Sequence, residues 1–252
     1  MSKVHFHYLG HASFKIITET DTVIYLDPFI EGNPDCPITF NDIERADIVL
    51  VTHGAFDHMG QAIELVKKTG AILIGGPDIR VHAFSEGISE DQFRVLGWGG
   101  EIEISDIKVR SLKADHISFF KSKNQYLSSI AMSFLITTPE NLRIYAAGDT
   151  SIFYDLQLFG QLYRPHIGLI GVGGFPGYFA ELSASEAALV AKWLCLNVAI
   201  PIHYPSKQKE GKTFLKICKE TAPHVKVHIM KPGEHAAYSA KEMNLEAIQS
   251  NY

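Results

Sequence analysis

The chain has 252 residues, of which 46% are hydrophobic and 20% are charged, and its formal net charge is −5. This is an ordinary composition for a soluble globular protein, with enough residues for a sizeable core. The negative charge argues against nucleic acid as a partner, because phosphate binding favours a basic face, but it leaves open a small anionic substrate held by a metal.

The first third of the chain is predicted to consist of short strands and one helix. Alternating and β-branched runs predict strands over residues 4–9, 12–18, 22–26, 47–52 and 71–74. Two prolines and a glycine within 27–34 predict a loop. Helical spacing over 57–68, closed by two lysines before Gly70, predicts a helix directly after the strand at 47–52.

The rest of the chain is predicted to be β-rich at first and then to alternate helices and strands. The predicted strands are 93–96, 101–104, 107–112, 130–137, 142–146, 167–172, 198–202 and 225–230, and the predicted helices are 152–162, 183–194 and 211–220. Ser183 and Glu186 have the spacing of a capping box. This order predicts one domain over residues 1–252 with an α/β fold, an αββα sandwich of two mixed β-sheets flanked by helices.

Histidine and aspartate residues recur where the predicted strands end. These residues are His53, Asp57, His58, His116, Asp149 and His203. Imidazole and carboxylate groups are ligands that zinc and similar ions take, and catalytic sites leave one position open for water. The first three alone could be a helix N-terminus with a capping aspartate. Because several strand ends can converge on one edge of a sandwich, the whole set instead predicts a metal site.

These residues resemble the signature of the metallo-β-lactamase superfamily, His-x-His-x-Asp-His followed by a later His, Asp and His. Here the first motif runs from His53 to His58, with Ala55 at the second histidine. The segments 9–14, 26–29, 148–150 and 200–204 are similar to a branch of metal-dependent hydrolases related to L-ascorbate-6-phosphate lactonase. The resemblance implies the fold and a metal more specifically than a substrate.

The resemblance implies two divalent metal ions, expected to be Zn²⁺, with Mn²⁺, Ni²⁺ or Fe²⁺ as alternatives. The implied ligands are His53 and His116 for the first site, and Asp57, His58 and His203 for the second. Asp149 would bridge both ions, because one imidazole nitrogen cannot join two metals. Asp57 and Asp149 are the expected catalytic carboxylates. Asp27 is expected to orient a ligand histidine from behind, and His11 either does the same or is a satisfied buried histidine.

Ala55 departs from the family pattern, because an alanine side chain cannot bind a metal. The first site would keep only His53, His116 and the bridging Asp149. We therefore expect the first site to be weak or empty, the second site to fill, and activity to be impaired. Every other ligand position is intact, whereas a naturally decaying site would be expected to lose more than one ligand. This favours an engineered, inactivating histidine-to-alanine change.

The substrate pocket is expected among the loops beside the metals. The candidate residues are Phe29, Asn33, Phe175, Tyr178 and Tyr204. The glycine-rich segment 171–178 lacks dinucleotide and P-loop spacing, so a nucleotide cofactor is not expected. It is interpreted as letting the backbone approach the site, with an ordinary surface loop as the alternative.

The leading functional hypothesis is that a metal-bound hydroxide hydrolyses a small ester, lactone or phosphate ester. One alternative is a phosphodiesterase that acts on nucleotides or nucleic acid, against which the acidic charge counts. Another is a catalytically dead metal- or ligand-binding protein, which only Ala55 favours. The relatives leave a homo-oligomer open as a partner beside the small-molecule substrate.

The sequence also predicts where the protein resides. Residues 1–9 lack the apolar core of a signal peptide, and no run of about 18 apolar residues predicts a membrane span. The three cysteines, Cys36, Cys195 and Cys218, are odd in number and widely spaced, which does not indicate a disulfide framework. These features predict a cytoplasmic protein without a membrane partner.

Overall fold

The computed structural model describes residues 3–173, 182–205 and 209–243 and contains two seven-stranded β-sheets. The strands of the first sheet are β1 (Val4–Tyr8), β2 (Phe14–Ile17), β3 (Val23–Leu26), β4 (Ile48–Leu50), β5 (Ile72–Gly75), β6 (Phe93–Val95) and β14 (His235–Tyr238). The strands of the second sheet are β7 (Glu101–Ile104), β8 (Ile107–Ser122), β9 (Gln125–Thr137), β10 (Arg143–Ala146), β11 (Ile167–Gly171), β12 (Val198–Ile202) and β13 (Lys226–Val227).

Both sheets are mixed and are built on the same plan. The first has the order β14-β1-β2-β3-β4-β5-β6, antiparallel from β14 to β3 and parallel from β3 to β6. The second has the order β13-β12-β11-β10-β9-β8-β7, antiparallel from β7 to β10 and parallel from β10 to β13. Because the carboxyl ends of parallel strands meet at one edge, the residues after them can form a common site.

The helices lie on the outer faces of the sheets. They are α1 (Phe56–Met59), α2 (Ala62–Thr69), α3 (Pro77–Ser85), α4 (Asp155–Tyr163), α5 (Ala184–Trp193) and α6 (Glu210–Thr221), with short 3₁₀ turns at Phe40–Asp42 and Glu90–Gln92. The predicted capping box begins α5: the Ser183 hydroxyl accepts from the Glu186 amide, and the Glu186 carboxylate accepts from the Ser183 amide. Within the described ranges, no helix is long and apolar enough to cross a membrane.

Apolar side chains form one layer between the sheets and one layer under the helices on each side. Along β12, Val198, Ile200 and Ile202 belong to the layer between the sheets, whereas Ala199 belongs to the layer under α5 and α6. This alternation is the period of a strand that is buried on both faces. The predicted αββα sandwich of two mixed sheets is therefore confirmed.

Several elements differ from the sequence-based prediction. The helix predicted over 57–68 is divided into α1 and α2, because Gly60 has a φ of 41° and ends the first turn of helix. The strand predicted over 107–112 continues to Ser122, so His116 lies within β8 and does not follow a strand. The prediction stopped early because this extension pairs mainly with β9 as a hairpin and exposes Ile117 and Phe119. Helix α3 and strand β14 are absent from the prediction.

Candidate metal centre

Histidine and aspartate side chains meet at one edge of the sandwich. Asp27 follows β3, His53 follows β4, Asp57 and His58 lie in α1, Asp149 follows β10, His203 follows β12, and His116 lies in β8 beside a register irregularity. These residues are buried, and only the His116 side chain is partly exposed, at 20%. The structure therefore brings together all six sequence-predicted ligands, and His116 is the most exposed of them.

Asp149 lies at the centre of this cluster and presents one carboxylate oxygen to each side. Its Oδ1 is 3.1 Å from His58 Nε2 and 3.3 Å from His203 Nε2. Its Oδ2 is 3.7 Å from His53 Nε2 and 3.9 Å from His116 Nε2. A carboxylate in this arrangement can contribute one oxygen to each of two ions, and the bridging role of Asp149 stays a prediction.

The potential ligand atoms fall into two groups, each with its atoms within 4.8 Å of one another. The first group is His53, His116 and Asp149, and the second is His11, Asp57, His58 and His203. His11 was predicted to stand behind the ligands, and its Nε2 is indeed 3.0 Å from Asp57 Oδ2. The structure also places His11 close enough to the second group to bind an ion directly.

Unsatisfied buried atoms show that the cluster fits a cation. His53 Nε2, His58 Nε2 and Asp149 Oδ1 are buried and make no hydrogen bond of good geometry to any residue that the structure describes, although His58 Nε2 and Asp149 Oδ1 lie 3.1 Å apart. Buried polar atoms of folded proteins are normally satisfied, and imidazole nitrogens together with carboxylate oxygens are the donors that divalent transition metals take. The convergence of three such atoms is therefore accounted for by a metal ion.

A hydrogen-bond network around Asp27 and Thr52 orients two of the histidines. Asp27 accepts from the Thr52 amide and from the Thr52 hydroxyl, each at 2.8 Å. His58 Nδ1 lies 2.8 Å from Asp27 Oδ2, and the Thr52 oxygen is 3.2 Å from Nδ1 of both His53 and His58. Because Thr52 donates to Asp27, its oxygen is left to accept from these Nδ1–H groups. Nε2 of each histidine then faces the cluster, which is the ligand tautomer.

This network places Asp27 beside His58, while its role in orienting a metal ligand stays a prediction, and it adds Thr52, which was not among the predicted site residues. A threonine directly before the first histidine, at the end of a buried strand, was the available signal. Gly148 allows Asp149 to approach this network, because it has a φ of 59° and a side chain there would lie 2.8 Å from Thr52 Cβ.

A second network ties the strand of His116 to the loop of Asp149. The Asp115 amide donates to the Thr150 hydroxyl at 2.9 Å, and the Ser151 hydroxyl donates to the Asp115 carboxylate at 2.8 Å. Asp115 and Thr150 are adjacent in sequence to His116 and Asp149, and Ser151 lies two positions after Asp149. The two elements that supply His116 and Asp149 are thereby held in a fixed relation.

Burial and charge divide the protonation states within the cluster. Burial, aided by the charge of His58, lowers the pKa of His53 well below 6.5, and burial also lowers the pKa of His116. Both imidazoles are neutral at pH 7, the form that binds metals. Burial alone would lower the pKa of His58, but Asp149 and Asp27 outweigh it and raise that pKa well above 6.5. Burial would likewise raise the pKa of Asp149, but His58 and His203 hold it well below 3.8.

Three residues of the centre have a left-handed backbone conformation. The φ angles are 57° at His11, 43° at Asp27 and 65° at His203. Side chains other than glycine rarely adopt this region, and each such residue costs on the order of 1–3 kcal/mol. The fold maintains these angles where β-strands turn into ligand-bearing loops, which is where such strain is usually found in functional sites.

In the sequence, Ala55 lies between His53 of the first group and Asp57 of the second group. It is half-buried, and it is the N-cap of α1 with φ −65° and ψ 152°. Among the described residues, the first group contains His53 and His116 as ligands of its own, because Asp149 also faces the second group. Two candidate ligands of its own are consistent with the prediction that the first site binds its ion weakly. The prediction that Ala55 is an engineered change stays a prediction.

The predicted pocket residues have different surroundings. The Phe29 ring contacts the rings of His11 and Phe56, and Phe56 is 68% exposed beside Asp57. The Asn33 amide nitrogen lies 3.3 Å from the Leu9 carbonyl and 3.1 Å from the Phe29 carbonyl, so it braces the loop. Phe175 and Tyr178 lie outside the described residues. A pocket role for all of these stays a prediction.

Tyr204, the next predicted pocket residue, lines a cavity of about 230 Å³ behind the second group of ligands. The other lining residues are Tyr8, Gly211, Lys212, Ile229, Met230, Lys231 and Pro232. The Tyr8 hydroxyl donates to the His11 carbonyl at 2.9 Å, and the same carbonyl accepts from the His203 amide at 2.9 Å. One layer of residues therefore separates this cavity from the candidate metal centre.

Removing metal is expected to destabilise the fold. A ligand present at about 100 times its Kd stabilises the native state by about 2.7 kcal/mol, which corresponds to a Tm shift of about 5–10 °C for a chain of this size. The measurement is differential scanning calorimetry of metal-free protein, verified by elemental analysis, against protein reloaded with Zn²⁺. A Tm that does not rise on reloading would contradict a buried metal centre.

Comparisons with known proteins agree with this geometry. Residues 5–203 match the family model for the beta-lactamase superfamily domain. The chain is 32% identical to a UPF0173 metal-dependent hydrolase of Rubrobacter xylanophilus, covering 90% of this chain and 93% of that protein. It is 33% identical to a UPF0173 metal-dependent hydrolase of Methanobrevibacter smithii, covering 92% and 96%. The structure of Igni18, a metallo hydrolase from Ignicoccus hospitalis, superposes with a TM-score of 0.80 at 26% identity, covering 94% of this chain and 99% of that chain.

Proposed function

Because the chain belongs to the metallo-β-lactamase superfamily, among the UPF0173 metal-dependent hydrolases, we propose that it hydrolyses a small ester, lactone or phosphate ester at a two-metal centre. The observation that carries this proposal is the position of Asp149, which turns one oxygen to His58 and His203 and the other to His53 and His116. Zinc is the proposed metal, because the donors are imidazole nitrogens and carboxylate oxygens.

The ligands of the two proposed sites follow from the two groups. His53 and His116, with Asp149 Oδ2, would hold the first ion, and Asp57, His58 and His203, with Asp149 Oδ1, would hold the second. Bound metals lower the pKa of a water molecule and stabilise negative charge on the substrate oxygen. The chain's own contribution is to fix these ligands before substrate arrives.

Supporting residues fix the orientation of the second group. Burial lowers the pKa of His11 to about 4, so its imidazole is neutral at pH 7. Its Nε2–H can therefore donate to Asp57, 3.0 Å away, and hold one carboxylate oxygen in place. Asp27 accepts a hydrogen bond from His58 Nδ1, 2.8 Å away, and holds that imidazole in place. Asp57 and Asp149 thus remain the proposed catalytic carboxylates, each with its orientation set by a neighbouring imidazole.

The surroundings of the centre support a small substrate. The candidate ligands are buried, and only the His116 side chain is partly exposed, at 20%, so the centre suits a compact molecule. The exposed Phe56 ring offers an apolar surface for the remainder of a substrate.

Ala55 supports a second candidate function, metal or ligand binding without turnover. With only His53 and His116 as ligands of its own, the first site would bind its ion weakly, and hydrolysis would then be slow or absent. The two candidates predict the same fold and the same second site. They differ in whether a complete first site turns substrate over.

The test is a hydrolysis assay with Zn²⁺-loaded protein on p-nitrophenyl acetate, γ-butyrolactone, p-nitrophenyl phosphate and bis-p-nitrophenyl phosphate. The same panel is run on the Ala55→His variant. The proposal expects metal-dependent turnover of at least one ester, lactone or phosphomonoester, faster in the variant. Cleavage of the phosphodiester alone would favour the phosphodiesterase alternative. No turnover by either protein, with both metal sites filled, would favour the binding protein.

A further inference from the structure

We propose that Ser118 and Asp78 are positioning residues of the first metal site, which hold the loop that carries His53 and position 55. This inference rests on the ligand assignment of the proposed function. Neither residue is near His53 in sequence, since Asp78 lies in α3 and Ser118 in the extended part of β8. Both are buried, at 5% and 0% exposure.

The Ser118 hydroxyl connects the loop to the helix. Its oxygen accepts a hydrogen bond from the Gly54 amide at 2.8 Å, and its proton is donated to the Asp78 carboxylate. Because the carboxylate takes the only hydroxyl proton, the oxygen lone pairs are directed towards Gly54. The hydroxyl is thus set as an acceptor for the one amide that lies between His53 and Ala55.

Asp78 is itself held in place. It lies in the first turn of the nine-residue helix α3, where the positive end of the helix stabilises a carboxylate. One of its oxygens is bonded to Ser118, and the other is buried without a hydrogen-bond partner among the described residues. A charged acceptor with one strong bond anchors Ser118 more firmly than a neutral group would.

Packing limits the loop as well. A side chain on Gly54 would lie 2.1 Å from the Phe120 ring, so the loop backbone rests directly on the face of β8 that carries Ser118 and Phe120. His116 lies on the same strand, two residues before Ser118. The hairpin therefore supplies one ligand of the first site and fixes the loop that supplies another.

The matched control is Ser122. It lies on the same face of β8, four residues after Ser118, and is equally buried at 2% exposure. Its hydroxyl bonds to His82 Nδ1 at 2.8 Å and does not contact the ligand loop. Replacing Ser118 or Ser122 with alanine therefore removes a buried hydroxyl from one strand face, but only the first change releases Gly54.

The experiment measures Zn²⁺ affinity of both sites by competition with a chromogenic chelator, in the native chain and in the Ala55→His variant, where the first site is complete. Ser118→Ala is expected to weaken the first site about 10–100-fold, as supporting groups of metal ligands commonly do, and to leave the second site unchanged. Ser122→Ala is expected to leave both sites unchanged. Asp78→Asn, which retains the size of the side chain, is expected to weaken the first site to a smaller extent.

Equal first-site affinities in Ser118→Ala and Ser122→Ala would overturn the positioning role, even if both variants lose thermal stability. Should Ser118→Ala fail to fold, an unchanged first site in Asp78→Asn would overturn it in the same way. Absence of Zn²⁺ from both sites in the Ala55→His background would instead contradict the proposed metal centre. The failure of the positioning role and the failure of the proposed function are therefore distinguishable.

Discussion

Replacing Ala55 with histidine is expected to raise the metal content from about one ion to about two per chain, and to raise kcat/KM about 100-fold or more, equivalent to ~2.7 kcal/mol of transition-state stabilisation. Among the residues that the structure describes, the first group has only His53 and His116 as candidate ligands of its own, because Asp149 also faces the second group. A third imidazole would complete that group without depending on the shared carboxylate. Metal content is measured by elemental analysis, and kcat/KM on the substrate that the panel identifies.

The matched control for this prediction is Ala55→Gln. Glutamine has a size similar to that of histidine but is a poor ligand for zinc, so a gain that depends on coordination should be absent. Position 55 is half-buried at the N-cap of α1, and either side chain changes the packing there. Equal metal content and equal rates in the native chain and both variants would show that position 55 is not a vacant ligand position.

Replacing Asp149 with asparagine in the Ala55→His background is expected to release both ions and to reduce turnover to the uncatalysed level. The carboxylate presents Oδ1 to His58 and His203 and Oδ2 to His53 and His116, so one substitution affects both sites. Asparagine keeps the size of the side chain but lacks the negative charge that two cations require. We expect a loss in Zn²⁺ affinity of at least about 100-fold at each site, more than supporting residues cost.

Asp27→Asn is the matched control for the change at Asp149. It also removes a buried carboxylate, but Asp27 acts on the centre through Thr52 and His58 Nδ1 and not as a ligand. We expect it to weaken the second site about 10–100-fold, as loss of an outer hydrogen-bond partner commonly does. We expect a smaller loss at the first site, because Asp27 reaches His53 only through the Thr52 hydroxyl. Loss of only one ion in Asp149→Asn would contradict the bridging role.

Local sequence patterns predicted most of the strands, because nearly all of them have a buried face that shows in the order of apolar residues. Strand β12 was predicted at its observed bounds, Val198–Ile202, and the cap of α5 at Ser183 was also correct. The extension of β8 to Ser122 was missed, since it is held by pairing with β9 and its outer face is exposed. Strand β14 was missed because only its pairing with β1 makes His235–Tyr238 a strand.

The ligands were predictable from the sequence because their residue types recur at strand ends and resemble a family pattern. Three of the supporting residues were not predictable in the same way. Thr52, Asp78 and Ser118 are ordinary polar residues in the sequence, and their importance comes from hydrogen bonds across 25 to 64 positions of the chain. No local pattern records such pairs, since each depends on the packing of one sheet against a loop or helix.

The sequence by itself determined the sandwich fold, and it supplied the candidate metal ligands and the prediction that Ala55 is a missing ligand. The spacing of apolar residues reflects which faces are buried, and a metal ligand must be one of a few residue types. Both the fold and the candidate ligands can therefore be predicted from short stretches of sequence. Only the tertiary structure decided which oxygen of Asp149 faces which histidines, that His11 joins the second group, and that a serine on β8 holds the loop of His53. Each of these features depends on distances between atoms of residues that are far apart in the sequence, and those distances are fixed only when the chain folds.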